Sequence, residues 1–244
     1  MGRGSVLRGL AYGMAAAFFV STLFQLADQL NLISQPPAVS GSANLVDRVT
    51  AFIPYREQIW PVYLVGNLLL GLGFVILVGL ALTLAARAAR TDERRHVLLW
   101  TLAMAGIIGA IAQVFLIGAV KAQIDIPYCD CGFKDQEIVS QVWGEMIVQS
   151  AVQLLIYAAA LLAAAGLAVA ATIFRPAMPA GWQLLSWLGA ALLVLSVILG
   201  WADIGGDATN WLTAAISGLL IPAWAIWLGR AAPDVSGLAD VSPA

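Results

Sequence analysis

The amino-acid sequence predicts an all-α membrane protein, a bundle of six transmembrane helices with both termini on the inner side. Three observations predict this class. Hydrophobic residues make up 61% of the 244 positions and charged residues only 11%, which is far from the balance of soluble domains. The apolar residues fall into six runs, each close to the roughly 20 residues that a helix needs to cross a bilayer. All nine Trp residues fall near the ends of these runs, as interfacial aromatic belts require.

We assign the six spans, in chain order, to about 10–27, 60–86, 97–120, 141–174, 182–201 and 211–228. The first is interpreted as a retained span rather than a signal peptide, because its apolar run is long and no A-x-A-like cleavage site follows it. The third carries two small-residue pairs, Ala105 with Gly109 and Gly106 with Ala110. Such pairs are typical of helices whose backbones pack closely in a membrane.

Two long outer connections are predicted, 31–59 between the first and second spans and 121–140 between the third and fourth. Residues 231–244 are predicted to form a loose polar tail. Apolar residues at helical spacing between 45 and 53 predict a short interfacial helix, which Pro54 would end. In the sixth span, Pro222 removes a backbone hydrogen bond to Gly218, so we expect a kink there. Asp207 or Thr209 is expected to cap the start of that span.

The distribution of basic residues sets the predicted orientation, because Lys and Arg concentrate in cytoplasmic loops. With the N-terminus inside, the inner side holds eight of them: Arg3, Arg8, Arg87, Arg90, Arg94, Arg95, Arg175 and Arg230. The outer side holds four: Arg48, Arg56, Lys121 and Lys134. The topology is therefore predicted as N-in and C-in, and the preference for Arg over Lys, with abundant Ala and Gly, favours a bacterial inner membrane.

A polar ladder in the fourth span is the strongest functional signal in the chain. Gln141, Glu145, Gln149, Gln153 and Tyr157 recur at steps of four in an otherwise apolar helix. Neighbouring members of such a series stand one above the other on nearly one face. Polar groups inside a membrane need partners and often mark a functional site.

Other spans carry polar residues at a similar depth. We predict an outward-facing pocket lined by seven residues. On one side lie the ladder residues Glu145, Gln149 and Gln153, and opposite them lie Asp28, Gln25, Gln113 and Asn67. Glu145 and Asp28 would form its charged centre. Ten acidic residues on the outer side would concentrate cations there: Asp28, Asp47, Glu57, Asp125, Asp130, Asp135, Glu137, Glu145, Asp203 and Asp207. The alternative is structural, because amide hydrogen bonds also simply join membrane helices.

Cys129 and Cys131 lie in the second outer connection. Three interpretations stay open: a local or intermolecular disulfide, free thiols packed in a folded loop, or a soft-metal site. Thiols outside the cytoplasm tend to oxidise, and a ring closed by C-x-C would be strained and readily reduced. A metal site would need two further ligands, and the only histidine, His96, lies on the opposite side, so a four-ligand zinc or copper site within one chain is the least favoured interpretation and we assign no metal ligands.

Several absences in the sequence narrow the function. No His and no mid-helix Lys lies in a span, which excludes a bis-His haem and a retinal Schiff base. The G-x-S-x-G, H-E-x-x-H and Walker A patterns do not occur, and no basic patch indicates nucleic-acid binding. We therefore predict no cofactor and no nucleic-acid partner, and favour a non-enzymatic role.

The C-terminal third carries a resemblance. Phe174-Arg175-Pro176, Gly181-Trp182, Trp187-Leu188-Gly189 and the segment from Ile221 to Gly229, IPAWAIWLG, resemble uncharacterised bacterial six-helix integral membrane proteins. In that group a proline turn on the inner side precedes the fifth helix, and the sixth ends in an aromatic-Leu-Gly segment. The resemblance implies the six-helix fold and no particular chemistry.

Three functional hypotheses follow from the sequence. The first is a membrane protein whose outward-facing acidic and polar pocket binds, and in one version transports, a small polar or cationic ligand. The second is a non-catalytic accessory or assembly subunit that docks a membrane-protein partner, or another copy of itself, through its outer loops. The third is a membrane enzyme, for which no nucleophile can be identified.

Overall fold

The computed structural model of the protein describes residues 3–39, 45–88, 92–125, 134–202 and 206–231. Long helices form most of this part of the chain. They are α1 (Arg3–Gln29), α2 (Leu45–Ala85), α3 (Arg94–Asp125), α4 (Lys134–Ile173), α5 (Ala180–Trp201), α6 (Asp207–Ala215) and α7 (Ile221–Arg230), with a π-helical turn at Ile216–Leu220 between the last two.

Six helical stretches are long and apolar enough to cross a membrane. They are Gly4–Gln29, Ala51–Ala85, Arg94–Ala122, Met146–Ile173, Ala180–Trp201 and Ala208–Arg230. The predicted all-α fold with six spans is thus confirmed. The inside–outside orientation stays a prediction from the count of basic residues.

The first outer connection differs from the prediction. We expected Pro54 to end an interfacial helix before a second span that begins at residue 60, but α2 is continuous through Pro54 and Pro61. Both prolines are exposed. Each proline leaves the carbonyl four residues earlier without its intrahelical donor, and membrane helices tolerate this where other groups satisfy that carbonyl.

The second outer connection is also shorter than predicted. Helix α3 continues to Asp125 and α4 begins at Lys134, so much of the predicted connection 121–140 is helical. Cys129 and Cys131 lie outside the described residues, and so does the tail beyond residue 231. Their predicted roles stay predictions.

The start of the last span differs from the expected cap. Gly206 occupies the N-cap position of α6 with φ +43°, a left-handed conformation that glycine adopts without steric cost. Neither Asp207 nor Thr209 is the cap residue, because both lie inside the helix. The predicted cap was therefore wrong.

The proline in the last span coincides with a π-turn. The backbone N–H of Ile221 donates to the carbonyl of Ile216, five residues earlier. Pro222 follows directly and has no N–H to donate to Gly218. The expected irregularity is present, in the form of a widened turn rather than a simple break.

The helices follow one another around the bundle. Each packs against its neighbours in sequence, and α7 and the π-turn pack against α1. Side-chain contacts show that neighbours run antiparallel: Phe18 meets Gly73 on α2, and Phe74 meets Gly109 on α3. A Cβ on Gly106 would lie 2.6 Å from the Phe74 carbonyl oxygen. The predicted packing role of the small residues in the third span is confirmed.

The bundle has two distinct ends. At one end α1 begins and α7 ends, and Trp182 and Trp224 stack with ring centroids 5.5 Å apart, both fully buried. We call this the tryptophan end. At the opposite end α1 and α3 end and α2 and α4 begin, and several amide side chains lie there. We call this the amide end.

Candidate functional site

A cavity of about 350 Å³ lies inside the bundle, and residues from all six spans line it. This volume falls within the range of roughly 300–1,000 Å³ that is usual for small-molecule sites. The antiparallel packing of consecutive helices creates the cavity, because each helix packs mainly against its neighbours in the chain rather than across the centre. A membrane-depth space with contributions from every span is therefore the candidate site.

The two ends of the cavity differ in polarity. The apolar lining toward the tryptophan end includes Met14, Leu77, Leu102, Leu167, Ile221 and Trp224. The side chains with amide or hydroxyl groups come from the parts of the helices nearer the amide end: Gln25, Gln29, Asn67, Gln113, Gln153, Tyr157, Ser196, Thr209, Asn210, Thr213 and Ser217. None of the described lining residues is charged.

Gln113 is the most informative residue in the lining. Its side chain is only 4% exposed, and its Oε1 has no hydrogen-bond partner among the described residues. Gly71 on α2 lies against it, because a Cβ there would lie 3.5 Å from the Cβ of Gln113, an ordinary van der Waals distance. A buried acceptor without a partner costs about 1–3 kcal/mol, so this amide is poised to receive a donor.

Asn67 stands nearby on α2 and is equally buried, at 3% exposure. Its Nδ2 donates a 2.7 Å hydrogen bond to the carbonyl oxygen of Tyr63, one turn earlier. At the same level the hydroxyl of Ser21 donates to the carbonyl of Gly66 at 2.8 Å and joins α1 to α2. These two bonds fix the wall of the cavity on this side.

Hydroxyl groups from the last span form the facing wall. Thr213 donates to the carbonyl of Thr209 at 2.9 Å, and Ser217 donates to the carbonyl of Thr213 at 2.9 Å. Ser217 also lies 3.0 Å from the hydroxyl of Thr22 on α1. Hydroxyls that donate to their own helix backbone keep lone pairs for another donor.

The structure brings four of the seven predicted site residues together. Gln25, Asn67, Gln113 and Gln153 all line the same cavity. Their placement agrees with the predicted convergence, while binding of a ligand by them stays a prediction.

The remaining three predicted residues do not join this group in the described structure. Asp28 is half-buried outside the lining, and its carboxylate accepts a 3.2 Å hydrogen bond from the Tyr55 hydroxyl. Gln149 is exposed and also lies outside the lining. The side chain of Glu145 falls outside the described part of the structure. The predicted charged centre therefore has no support from the described lining.

The sequence reasoning missed the hydroxyls of the last span. Thr209, Thr213 and Ser217 recur at steps of four, the same spacing that marked the ladder in the fourth span. A search for polar residues at this spacing in every span would have found them. Tyr157 was recognised as a ladder member but not included in the site, although it lines the cavity and packs against Gly200 of α5.

Within the described ranges, no group of three or more His, Cys, Asp and Glu residues is arranged to hold a metal ion. Comparisons of the chain with known protein families, with curated proteins and with solved structures give no match. The resemblance to six-helix bacterial membrane proteins therefore stays a prediction, and functional argument has to start from the cavity itself.

Proposed function

We propose that this integral membrane protein binds a small polar ligand in its central cavity. The amide end would face outward and the protein would reside in a bacterial inner membrane, as the charge distribution predicts. The single observation that carries the proposal is Gln113, which lines a cavity of about 350 Å³ and whose buried Oε1 has no partner among the described residues. A bound ligand would supply the missing hydrogen bond.

The physical reason is the free-energy cost of an unpaired polar group inside a membrane. Polar groups at membrane depth are expensive unless they are paired. Asn67 and Gln113 stand on adjacent helices with less than 5% of each side chain exposed. Amides that merely joined helices would bond to each other or to the backbone, as Asn67 does. Gln113 departs from that pattern, which favours a site over a structural contact.

The tryptophan end supports binding rather than free conduction. Trp182 and Trp224 are stacked there and fully buried, and Phe174 and Leu228 beside them are also fully buried. A continuous aqueous path along the bundle would require this packing to separate. The proposal is therefore a binding site approached from one end, and transport would add a rearrangement at the other.

The two alternative functions lead to different observations. An accessory subunit would dock a partner, or a second copy, through connections that lie largely outside the described residues, and no contact of the described chain favours it. A membrane enzyme would need a reactive group, and the described lining supplies amides, hydroxyls and apolar side chains. We therefore rank ligand binding first.

A pair of phenylalanine substitutions on α4 tests the proposal. Ala160 lines the cavity, whereas Ala165 is exposed on the same helix and lies outside the lining. Ala160→Phe fills the cavity, and Ala165→Phe adds the same ring on the outside. Thermal unfolding of each purified protein would be measured against a panel of small alcohols, amides, polyols and amines.

The expected result is a compound that stabilises the wild type and Ala165→Phe but not Ala160→Phe. Ligand at 100 times its Kd stabilises by about 2.7 kcal/mol, which a melting curve resolves. If no member of the panel stabilises the wild type, or if Ala160→Phe responds as the wild type does, the cavity is not a binding site.

A further inference from the structure

The lining of the cavity also restricts the chemistry of its ligand. We infer that the ligand is an uncharged amphiphile whose polar head donates a hydrogen bond to Gln113 and whose apolar part extends toward Trp224. This inference rests on the proposed function, because it names the class of ligand for the same cavity. It replaces the cationic ligand that the acidic outer side had indicated.

The first reason for an uncharged ligand is that the described lining contains no charged side chain. Amides, hydroxyls and apolar groups surround the space, and the half-buried carboxylate of Asp28 is outside it, bonded to Tyr55. An ion moved to membrane depth loses several kcal/mol of hydration unless an opposite charge receives it. An uncharged molecule avoids that cost.

The second reason concerns the hydrogen bonds that the lining side chains already make and the acceptor that is left. Asn67, Thr213 and Ser196 each donate to a backbone carbonyl, at 2.7, 2.9 and 2.8 Å. Their remaining capacity at oxygen is to accept. The Oε1 of Gln113 is an acceptor with no donor among the described residues. The amides of the wall also carry N–H donors, so the requirement for a donor on the ligand rests on the Oε1 of Gln113.

The third reason is the change of the lining from polar side chains near the amide end to apolar side chains near the tryptophan end. Beyond Gln113 toward the tryptophan end, the lining is Met14, Phe74, Leu77, Leu102 and Trp224. A wholly polar molecule would leave its own groups unsatisfied there, and a wholly apolar one would leave Gln113 unsatisfied. A molecule with a hydroxyl head and a hydrocarbon body satisfies both ends.

Four probes with one hydrocarbon length separate charge from donor capacity. They are 1-decanol, its methyl ether, decylammonium and decanoate. Each would be titrated into the full-length protein in nanodiscs of zwitterionic lipid, so that the surface charge of the bilayer does not favour either ionic probe. The unfolding temperature and the half-saturating concentration would be measured for the wild type and two variants.

The variants are Gln113→Leu and Gln58→Leu. Gln58 provides the same chemical change on α2 at an exposed position outside the lining, where its Oε1 accepts a hydrogen bond from Ser34. We expect decanol to stabilise the wild type saturably, with a half-saturating concentration at least about tenfold below those of the other three probes, since one hydrogen bond in a buried site is worth roughly that factor. Gln113→Leu should remove this preference for the alcohol, and Gln58→Leu should keep it.

Each contrary outcome overturns a different part of the inference about the ligand. If decylammonium or decanoate stabilises the wild type as well as decanol does, and Gln113→Leu abolishes that effect, the uncharged ligand is wrong while binding in the cavity stands. If the ether matches the alcohol, the donor is wrong. If all probes act equally on the wild type and both variants, they act through the bilayer and the inference is wrong. Should Gln113→Leu fail to fold, Ala160→Phe replaces it and must abolish the decanol effect. The proposed function itself fails only if the phenylalanine pair also shows no cavity-dependent ligand.

Discussion

The indole N–H of Trp224 donates a 2.8 Å hydrogen bond to the hydroxyl oxygen of Ser186, and the two residues are fully or almost fully buried. Ser186 in turn donates to the carbonyl of Trp182, one turn earlier on α5, at 2.9 Å. Ser186 thus bonds the indole of one stacked tryptophan and the backbone of the other. These bonds join α5 to α7 at the tryptophan end, so they bear on the stability of the bundle.

Replacing Ser186 with Ala should destabilise the protein. The indole N–H of Trp224 would lose its acceptor in a buried setting, at a cost of about 1–3 kcal/mol in the free energy of unfolding. Equilibrium unfolding in detergent measures the change. Ser150→Ala is the matched control, because the Ser150 hydroxyl is exposed and bonds only to the backbone of its own helix, and it should change stability by less than about 0.5 kcal/mol. Equal effects of the two substitutions would contradict the role of this hydrogen bond.

Substitutions of two glycines on α3 should have opposite effects. A Cβ at Gly106 would lie 2.6 Å from the carbonyl oxygen of Phe74, whereas a Cβ at Gly118 would meet nothing within 4 Å. Gly106→Ala must move a helix backbone, and overpacking of this kind costs about 1–3 kcal/mol. Gly118→Ala should stabilise by up to about 1 kcal/mol through helix propensity alone. Thermal unfolding compares them, and a neutral Gly106→Ala would refute the close approach of α2 and α3.

Replacing Gln113 with Leu should raise the stability of the ligand-free protein. Removal of a buried acceptor that has no partner relieves a penalty of about 1–3 kcal/mol, and a residue of similar length keeps the packing. Asn67→Leu provides the contrast, because it deletes a donor that is bonded to Tyr63 and should not stabilise. Unfolding free energies without ligand test this. A loss of stability in Gln113→Leu would mean that this amide holds the bundle together, and the case for a site would weaken.

The start of α3 should respond to pH. The carboxylate of Asp92 accepts hydrogen bonds from the backbone N–H of Arg94 at 3.0 Å and from its guanidinium at 2.9 and 2.8 Å. The bond from the Arg94 side chain is the main cause that holds the pKa of Asp92 below its ordinary value of 3.8. A pKa that is lower in the folded state gives stability that is present above 3.8 and is lost as the pH falls through the folded value.

Asp92→Asn should therefore be less stable than the wild type at neutral pH, by at most about 1 kcal/mol for an ion pair at a surface. The difference should disappear as the solution is acidified below the folded pKa of Asp92, because both proteins are then neutral at this position. Unfolding measured at pH 7 and along an acid series below pH 3.8 tests the prediction. A difference that does not shrink along this series would show that the charge of Asp92 is not its source.

The sequence was sufficient for the architecture because bilayer thickness constrains it so strongly. Six apolar runs, interfacial Trp residues and the small residues at 105–110 correctly predicted six packed spans. The helix ends were predicted less well. Proline is a strong breaker in soluble helices, so Pro54 was expected to end a helix, yet α2 continues through it. Whether other groups satisfy the carbonyl that a proline frees depends on the tertiary surroundings, which are not visible in a local pattern.

The candidate site was only partly predictable for a geometric reason. Steps of four advance a helix by about 400°, so each member of a ladder is rotated by about 40° from the last. Gln153 and Tyr157 line the cavity, while Gln149 lies outside it. Spacing alone does not say which rung faces inward, because that depends on how α4 packs against its neighbours. The burial of Gln113, whose Oε1 has no partner among the described residues, was likewise a matter of tertiary packing.

The absence of charged side chains from the described lining has an electrical consequence. Moving one elementary charge through a membrane potential of 100 mV is worth about 2.3 kcal/mol, and an uncharged ligand entering a wall of amides and hydroxyls carries none of that charge. The occupancy of the cavity would then be the same in an energised and a de-energised membrane. It would follow the concentration of the ligand dissolved in the lipid.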